Sequence, residues 1–443
     1  MKFLPHRKKE ETMLVNVIHH RERKDTDWKD YLDIVYKDLK SGEKFVETIE
    51  SPKIEFYMTK EEHRNYNHNR DFIPLSQCDK HETEFKNVAF YIAKQLGPQA
   101  MAYIKQCQEQ GNRSLIRNMH KSPYVFGSDY DIENWYRIQW LLHNNNDEMK
   151  PITKQYTDIE VDSIDIEGFP RNGNCPINAI TIVDEESKTS FTFLLRNDKN
   201  PQIQEFEETI DEFIEELHDD FDETYGHLDY KFYMYDDERQ LIIDFFKLVN
   251  TLKRDFLLIW NGGGFDIPFI IDRLRELGLD PVDVMTHKDF KIKECFFHQD
   301  KDNYAIANKG DYLKLSSYTS YLDQMVIYAG NRKGQGEKRS YALNYVGQEE
   351  LGDTKLDYSE EANIKTLPYV NFKRFVKYNI KDVLLQLGIE RRTNDVDSIY
   401  QRAYSNATKY EKIFKQTVQL GPLTERSVMK TPLTDWNSLR ASA

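Results

Sequence analysis

The sequence predicts an α/β fold for the segment that starts near residue 152. Two observations carry this prediction. First, short stretches rich in β-branched and aromatic residues alternate there with longer stretches whose apolar residues recur every three or four positions. Strands that alternate with helices favour a sheet covered by helices. Second, the chain has 443 residues, 39% of them hydrophobic and 13% aromatic, which is enough for two domains or more.

The predicted elements of this segment follow one another closely. Strands at 156–161, 179–183 and 190–195 come first, with a turn before the third. The acidic stretch 206–221 has Phe, Ile and Leu at helical spacing, which predicts a helix with one buried face. The remaining elements are, in order, a strand at 231–235, a helix at 238–252 capped by Asp236 or Asp237, a buried strand at 256–260, and helices at 267–277 and 371–388.

The regions on either side of this segment show less pattern. Residues 1–150 are polar and irregular, with aromatic islands such as 54–58 and 135–143 and a helix at 84–96. The Asn and Asp run at 144–147 predicts a loop, and we place a domain boundary near 150. One more helix is predicted at 396–416, before a tail that ends at residue 443.

Composition excludes several classes of protein. A net charge of −14 argues against a general nucleic-acid coat, which needs Lys and Arg to neutralise phosphates. The longest apolar stretches are about five residues, too short for a membrane span of roughly twenty. No signal-peptide core follows the early charges, so we expect a cytoplasmic protein. The four cysteines are scattered, lack a Cys-x-x-Cys pair and are expected to be reduced.

The first of three acidic motifs is Asp158-Ile159-Glu160, in a predicted strand. Residues two apart in a strand project from the same face, so both carboxylates could share a divalent cation. A second copy of the tripeptide, Asp165-Ile166-Glu167, follows seven residues later. Such tripeptides are common in acidic proteins, and a plain surface role stays open for the motif taken alone.

The second motif is the glycine-rich loop from Asn261 to Asp266, between a predicted buried strand and a predicted helix. Its three glycines let the backbone approach a ligand closely. Asp266 stands where a strand gives way to a helix, which is the usual position of a ligand site in an open α/β sheet. The alternative is a plain glycine turn with Asp266 as a helix N-cap.

The third motif pairs Tyr378 with Asp382 in the predicted helix 371–388. A spacing of four residues places a phenol and a carboxylate one helical turn apart on the same face. The alternative is a partly buried tyrosine over an exposed aspartate.

Together the three motifs resemble those of DEDD exonucleases whose third motif is Tyr-x-x-x-Asp. The sequence resembles more closely the proofreading domain of family B DNA polymerases of the T-even phage type, over about residues 152–392 and more weakly to 443. The segments that carry the resemblance are Thr157-Asp158-Ile159-Glu160-Val161, Phe169-Pro170, Asn178-Ala179-Ile180-Thr181, Tyr235-Asp236-Asp237-Glu238-Arg239, Gly264-Phe265-Asp266-Ile267-Pro268, Tyr321-Leu322-Asp323 and Tyr378-Asn379-Ile380-Lys381-Asp382-Val383.

This resemblance implies an RNase H-like exonuclease domain at 151–392, with a mixed sheet flanked by helices. It also implies an α+β polymerase N-terminal domain at 1–150, on which the segment 393–443 packs as it leads toward a palm domain. The distance to Phe169-Pro170 along the sequence favours the first Asp-Ile-Glu copy, rather than the second, as the first exonuclease motif. Asp323 follows the residues that precede this position in the family, but we assign it no metal.

The resemblance further implies a catalytic site. Two Mg²⁺ ions, for which Mn²⁺ would substitute, are held by Asp158, Glu160, Asp266 and Asp382, and Tyr378 orients the attacking water. Such ions stabilise the entering and leaving oxygens of a phosphodiester displacement. They also explain how an acidic chain can bind the end of a nucleic acid.

Further segments are candidates for DNA contact. Asn261 and Phe265 flank the glycines of the second motif, and a basic loop with several glycines could follow phosphates through Arg332, Lys333, Lys338 and Arg339. A hairpin that parts primer from template could form from His287, Lys288, Lys291 and Lys293 followed by the alternating stretch 304–321. An ordinary exposed hairpin and a solvated loop are the alternatives.

The two aspartate motifs of a family B palm do not occur in the sequence. We therefore expect the N-terminal and 3′-to-5′ exonuclease part of a split or truncated polymerase. Its expected partners are a single-stranded or frayed primer 3′ end, a second polypeptide with palm, fingers and thumb, and a sliding clamp. A catalytically silent scaffold of the same fold and a free-standing DNA exonuclease are the alternatives.

Overall fold

The structure is a computed structural model. It describes residues 12–24, 27–64, 75–144, 151–197, 200–301, 305–336, 338–357 and 363–410. These residues divide into two compact units. The first unit contains the described residues up to 144 together with 403–409, and the second contains 151–402 together with Tyr410.

The first unit has two antiparallel sheets and several helices. Strands β1 (Thr12–Lys24), β2 (Asp27–Asp38) and β3 (Lys44–Glu50) form one sheet in that order. In the other sheet, β4 (Lys53–Thr59) lies between β5 (Cys78–Glu84) and β6 (Val125–Phe126). The α-helices are α1 (Val88–Leu96), α2 (Pro98–Glu109), α3 (Arg113–Ile116) and α4 (Ile132–Asn144).

Buried polar pairs explain why these strands are hard to see in the sequence. His20 on β1 lies 3.0 Å from Asp33 on β2, measured from Nε2 to Oδ2, and both side chains are fully buried. Where polar residues take inward positions, the alternation of apolar and polar residues that marks a strand disappears. The irregular reading of residues 1–150 therefore missed two sheets, although the expected α+β character is present.

The second unit is built on a six-stranded mixed sheet. The six strands are β7 (Lys154–Val161), β8 (Ile177–Asp184), β9 (Thr189–Leu195), β10 (Asp229–Tyr235), β11 (Phe256–Ile259) and β14 (Ser320–Asp323). Two further strands, β12 (Cys295–His298) and β13 (Tyr312–Leu315), form a separate two-stranded sheet. The order in the sheet is β10-β9-β8-β7-β11-β14. Strands β7, β8 and β9 are antiparallel neighbours, and β11 runs parallel to both β7 and β14.

Helices cover this sheet, as expected for an α/β fold. They are α5 (Gln202–Glu208), α6 (Ile210–Tyr225), α7 (Glu238–Leu252), α8 (Asp266–Glu276), α9 (Pro281–Met285), α10 (Gln324–Asn331), α11 (Leu343–Leu351), α12 (Leu367–Val370), α13 (Phe372–Thr393) and α14 (Asp395–Asn406). Asp237 caps α7 by accepting a hydrogen bond from the Arg239 amide. The long helix α13 is largely buried, with Val376, Ile380 and Leu384 at 0% exposure.

The register places the carboxyl ends of β11 and β14 beside the middle of β7 at one edge of the sheet. Ile259, the last residue of β11, pairs with Thr157 on β7 and with Asp323 on β14. These three strands are parallel, so the half of β7 that carries Asp158 and Glu160 extends past the ends of β11 and β14. In open α/β sheets this edge is where ligands bind.

The structure confirms the predicted fold class and changes several details. The predicted helix 206–221 is two helices, α5 and α6, because the helical backbone is interrupted at Thr209. The region predicted to form a hairpin, 287–321, contains the antiparallel strand pair β12–β13, whereas residues 320–321 begin β14 of the main sheet and residue 304 lies outside the described residues. Helix α14 ends at Asn406, and residues 411–416 of its predicted span lie outside the described residues, as do 145–147 of the predicted loop.

No helix among the described residues is both long enough and apolar enough to cross a membrane.

Candidate carboxylate active site

Asp158 and Glu160 lie on the second half of β7. Ile159 between them points into the core and is 4% exposed. The pairing of β7 with β8 shifts register between Glu160 and Val161. Such a bulge redirects the side chains next to it. Both carboxylates therefore project together from one face of the sheet, opposite to Ile159.

The second Asp-Ile-Glu copy lies outside the sheet. Asp165 and Glu167 are exposed in the turn that follows β7. Ile166 packs on the edge of the core, and its carbonyl accepts a hydrogen bond of 2.5 Å from Lys365 Nζ. The two carboxylates of this copy therefore face solvent.

Asp266 is the first residue of α8 and is 4% exposed. The loop before it turns sharply, because Asn261 has a left-handed φ of 61°. A Cβ on Gly264 would lie 2.4 Å from Asn261 Oδ1, so a larger residue there would displace the Asn261 side chain. The Asp266 carboxylate accepts a hydrogen bond from the backbone of Ile159 on β7. The loop thus directs Asp266 toward the strand that carries the first motif.

Asp323, at the end of β14, fixes this loop. Its carboxylate accepts hydrogen bonds from the backbone amides of Asn261 (3.2 Å) and Gly263 (3.1 Å). It also caps α10 through the Val326 amide at 3.2 Å. Burial raises the pKa of Asp323 to about 6. This aspartate orders the backbone that positions Asp266.

Tyr378 and Asp382 lie one turn apart on α13, and both are buried. Lys355 Nζ links them, at 2.5 Å from Asp382 Oδ2 and 3.2 Å from the Tyr378 hydroxyl oxygen. The Tyr378 hydroxyl also hydrogen-bonds to the Asp382 carboxylate. Burial alone would lower the pKa of Lys355, but Asp382, Tyr378 and Asp158 together outweigh it and hold the pKa above its ordinary value. Lys355 is therefore the fixed cation of this cluster.

The fold brings the predicted acids together. Carboxylate oxygens of Asp158, Glu160 and Asp382 all lie within 4.8 Å of one another. Asp266 is the strongest charged influence on the pKa of Asp158, after burial. Asp382 Oδ1 is buried and has no hydrogen-bond partner among the described residues. Four carboxylates from β7, α8 and α13 thus meet around one position.

Burial, followed by the charges of neighbouring acids, raises the pKa values of these carboxyl groups. Burial raises the pKa of Glu160 to about 8, with a further contribution from Asp382. Burial also raises the pKa of Asp266 to about 7. The pKa of Asp158 lies well above its usual range, because the group is buried and faces Asp266 and Asp382. The cluster therefore binds protons at neutral pH unless another cation neutralises it.

The donor set fits a divalent metal ion. Every potential ligand is a carboxylate oxygen, which suits Mg²⁺ and Mn²⁺. The unpartnered Asp382 Oδ1 is a buried acceptor that a cation would satisfy. Asn379 Nδ2 orients the cluster from behind by donating a weak hydrogen bond of 3.4 Å to Asp158 Oδ2.

Comparison with known proteins assigns this arrangement to a family. The family model described as DNA polymerase family B, exonuclease domain, matches residues 125–346, half of the chain. The chain belongs to DNA polymerase family B. The match includes Asp158, Glu160 and Asp266, whereas Tyr378 and Asp382 follow it in sequence.

Curated relatives of this family B chain include phage proteins. A DNA-directed DNA polymerase of Escherichia phage RB69 is 24% identical over 378 residues, which cover 81% of this chain and 40% of that protein. One of Enterobacteria phage T4 is 23% identical over 382 residues, covering 81% and 38%. DNA polymerase 1 of Aeropyrum pernix is 26% identical over 164 residues, covering 37% and 14%. The chain thus spans about two fifths of the phage relatives.

An aromatic pair stands beside the acids of this family B exonuclease domain. Phe265, in the glycine-rich loop, packs edge to face on Phe169 with ring centroids 5.2 Å apart. Phe169 is 63% exposed, which is unusual for so large an apolar side chain. Part of the Phe169 ring is therefore open to solvent beside the loop that carries Asp266. Asn261, the other loop residue predicted to contact DNA, is half-buried and shapes the turn.

The predicted basic loop is more structured than expected. Arg332 is bound to Asp395 at 2.7 Å and stacks on the Tyr328 ring at 3.6 Å, so it is held in the fold. Lys338 forms an ion pair of 2.5 Å with Glu349. Lys333 and Arg339 are exposed. Arg332 and Lys338 are therefore held in the fold rather than in a flexible loop, and contact of the four residues with DNA stays a prediction.

The four basic residues at the start of the predicted hairpin also differ in their exposure to solvent. Lys288, Lys291 and Lys293 are exposed, whereas His287 is 6% exposed and packs against the Tyr318 ring at 4.7 Å. His287 is part of the core at this point.

Lys355 is the site residue that the sequence did not indicate. It lies 27 residues before Asp382, in a loop without a motif. The one available signal was indirect, because four converging acids require a nearby cation. That signal does not choose among the 61 Lys and Arg residues of the chain.

Proposed function

We propose that this chain is a 3′-to-5′ DNA exonuclease that removes nucleotides from a primer 3′ end by phosphodiester hydrolysis. The observation that supports this most is the convergence of Asp158, Glu160 and Asp382 within 4.8 Å, with Asp266 beside them. In the proposed mechanism these four carboxylates hold two divalent ions. Such ions supply positive charge that stabilises the entering and leaving oxygens of the reaction.

The chain's own residues prepare the nucleophile. Burial, followed by the charge of Asp382, raises the pKa of Tyr378 far above its ordinary value, so the phenol stays protonated at neutral pH. Tyr378 therefore acts by hydrogen bonding and orients a water molecule. Lys355 donates to the phenol oxygen and to Asp382, which fixes the direction of both groups.

In this proposal the 3′ end of the DNA is held by the aromatic edge, the surface formed by Phe169 and Phe265. Phe169 and Phe265 present ring surfaces next to the loop that carries Asp266. Base stacking on aromatic rings contributes about 1–3 kcal/mol per base and tolerates any sequence. A single-stranded or frayed end can unstack and reach these rings, whereas a paired end cannot, and this difference gives proofreading.

We also propose that the domain works beside a polymerase module with palm, fingers and thumb, on this polypeptide or on another. Support comes from the phage relatives, which are DNA polymerases of which this chain covers about two fifths. Contact with a sliding clamp remains a prediction from the resemblance.

The test uses single-stranded DNA labelled at either end. With Mg²⁺, the wild-type chain should release labelled mononucleotide at once from the 3′-labelled strand and shorten the 5′-labelled strand stepwise. Asp158→Ala should lose this activity. Asp165→Ala, at the same position of the exposed copy, should keep it. Equal rates in wild type and Asp158→Ala, or mononucleotide release from the 5′ end, would overturn the proposal.

A further inference from the structure

A second group of metal-ligating side chains lies at the C-terminal end of α6, apart from the carboxylate cluster. His218 and Asp222 are four residues apart and share a helix face. Gly226, with a φ of 80°, ends the helix and turns the chain back, which places His227 over His218. Ligand atoms of these three residues all lie within 4.8 Å of one another.

Both imidazoles direct the same ring atom at one carboxylate. His218 Nδ1 is 3.2 Å and His227 Nδ1 is 2.7 Å from Asp222 Oδ2. The two rings are stacked, with centroids 4.5 Å apart and planes inclined by 15°. Two protonated rings at this distance repel each other. A divalent cation at the shared position would neutralise Asp222 and bind both rings in their neutral form.

The distances from the imidazoles to the carboxylate approach those around a tetrahedral ion, and the stacked rings must turn for both Nδ1 lone pairs to reach it. Bonds of about 2.0–2.1 Å to nitrogen and oxygen place neighbouring ligands of a tetrahedral zinc roughly 3.3 Å apart. The distance from His218 Nδ1 to Asp222 Oδ2, 3.2 Å, is close to that value, and the distance from His227 Nδ1 to the same oxygen, 2.7 Å, is shorter than it. Two imidazoles and one carboxylate form a donor set typical of zinc with a water as fourth ligand, and one that magnesium does not prefer.

The surroundings favour a cation and leave the site accessible. Half of the 16 residues of α6 are Asp or Glu, and none is Lys or Arg. The side chain of His227 is 68% exposed, and those of His218 and Asp222 are 23% and 31% exposed. Tyr230 closes the inner side against the His218 ring at 5.3 Å, and its buried hydroxyl has no hydrogen-bond partner among the described residues. This phenol is available to an ordered water in the site.

We propose that His218, Asp222 and His227 bind one Zn²⁺ ion, which joins the end of α6 to the segment that leads into β10. Strand β10 is at the edge of the six-stranded sheet. Helix α6 packs on α13, where Lys381 Nζ lies 5.3 Å from the centre of the Phe221 ring. Zinc would thus brace the helix that supports Tyr378 and Asp382, without taking part in hydrolysis.

The test measures zinc binding by the full chain in competition with a chromogenic chelator. Excess Mg²⁺ keeps the carboxylate cluster occupied. The wild type should bind one Zn²⁺, and His227→Ala and His218→Gln should each weaken binding by at least about tenfold. His227 is so exposed that its removal leaves the fold intact. His298→Ala, which changes an exposed histidine on β12, should bind zinc like the wild type.

A second variant separates this proposal from the nuclease assignment. Asp158→Asn should keep the zinc affinity of the wild type whether or not it hydrolyses DNA. The proposal is overturned if the wild type takes no zinc from the chelator, or if both histidine variants bind as tightly as the wild type. Loss of zinc binding in Asp158→Asn alone would also overturn it, because the ion would then belong to the carboxylate cluster.

Discussion

The molecule contains the tripeptide Asp-Ile-Glu twice, seven residues apart, and the two copies have opposite environments. Asp158 and Glu160 project from β7 into a cluster with Asp382 and Asp266. Asp165 and Glu167 lie exposed in the next turn. The chemistry of the tripeptide is the same in both places. The two copies differ in burial and in their contacts with residues distant in sequence, and these differences decide which copy can hold a metal ion.

The largest effect should come from matched changes in the two copies. Glu160→Gln removes one carboxylate of the cluster while keeping its shape, and we expect hydrolysis to fall by about 10³-fold, the scale of losing one preorganised charged group. Glu167→Gln should change the rate by less than about twofold, since solvated charges contribute little. Single-turnover rates on single-stranded DNA measure both. Similar losses in the two variants would show that the copies are not distinguished by the fold.

A pair of lysines extends the comparison. Lys355 donates to Asp382 and Tyr378 in the buried cluster, whereas Lys365 donates to the carbonyl of Ile166 beside the exposed copy. Lys355→Met should lower kcat by about 10²-fold, because Tyr378 loses its fixed orientation. It should alter KM little, and Lys355→Arg should recover part of the rate. Lys365→Met serves as the control, and an equal loss of kcat there would contradict the role of Lys355.

Changes in the aromatic edge should alter the binding of DNA rather than the rate of hydrolysis. Phe169→Ala should raise KM for single-stranded DNA about tenfold, since one stacking surface contributes about 1–3 kcal/mol. Phe296, 50% exposed on β12, is a comparable aromatic outside the cluster. Phe296→Ala should leave KM unchanged. A fall in kcat with constant KM for Phe169→Ala would argue against base stacking.

The smallest effect concerns stability without metal. The pKa values of Glu160 (about 8) and Asp266 (about 7) lie above their ordinary 4.5 and 3.8. The folded state therefore holds protons that the unfolded state has released, and the free energy of unfolding falls as the pH rises from about 4 to 8. Asp158→Asn removes one crowded charge, so its melting temperature in a chelator at pH 8 should exceed that of the wild type by about 2–4 °C.

Two controls accompany this measurement. Asp165→Asn should melt like the wild type, because its carboxylate is solvated. Adding Mg²⁺ should stabilise the wild type more than Asp158→Asn and so reduce or reverse the difference. If the wild type is the more stable protein at pH 8 without metal, the acids are not crowded as described.

The sequence predicted the element that carries each acid of the cluster, whereas their convergence was implied only by the family resemblance. The strand position of Asp158 and Glu160 and the helical spacing of Tyr378 and Asp382 depend on local periodicity, which a sequence shows directly. Periodicity also revealed the alternation of strands and helices in the second unit. These predictions succeeded because each involves residues close together along the chain.

The features that were missed depend on distant contacts. Lys355 becomes a site residue only after α13 packs beside its loop. Arg332 was read as a free cation because its partner Asp395 lies 63 residues away. Strands β1 and β2 were missed because they bury polar pairs, such as His20 with Asp33, in positions where apolar residues are expected.

The most direct test of the account is the position of bound metal in crystals soaked with Mn²⁺, found from its anomalous scattering. The account predicts a strong peak among the carboxylates of Asp158, Glu160 and Asp382, and none at Asp165 or Glu167. Ordered crystals with no peak in that cluster, or with the peak at the exposed copy, would contradict it.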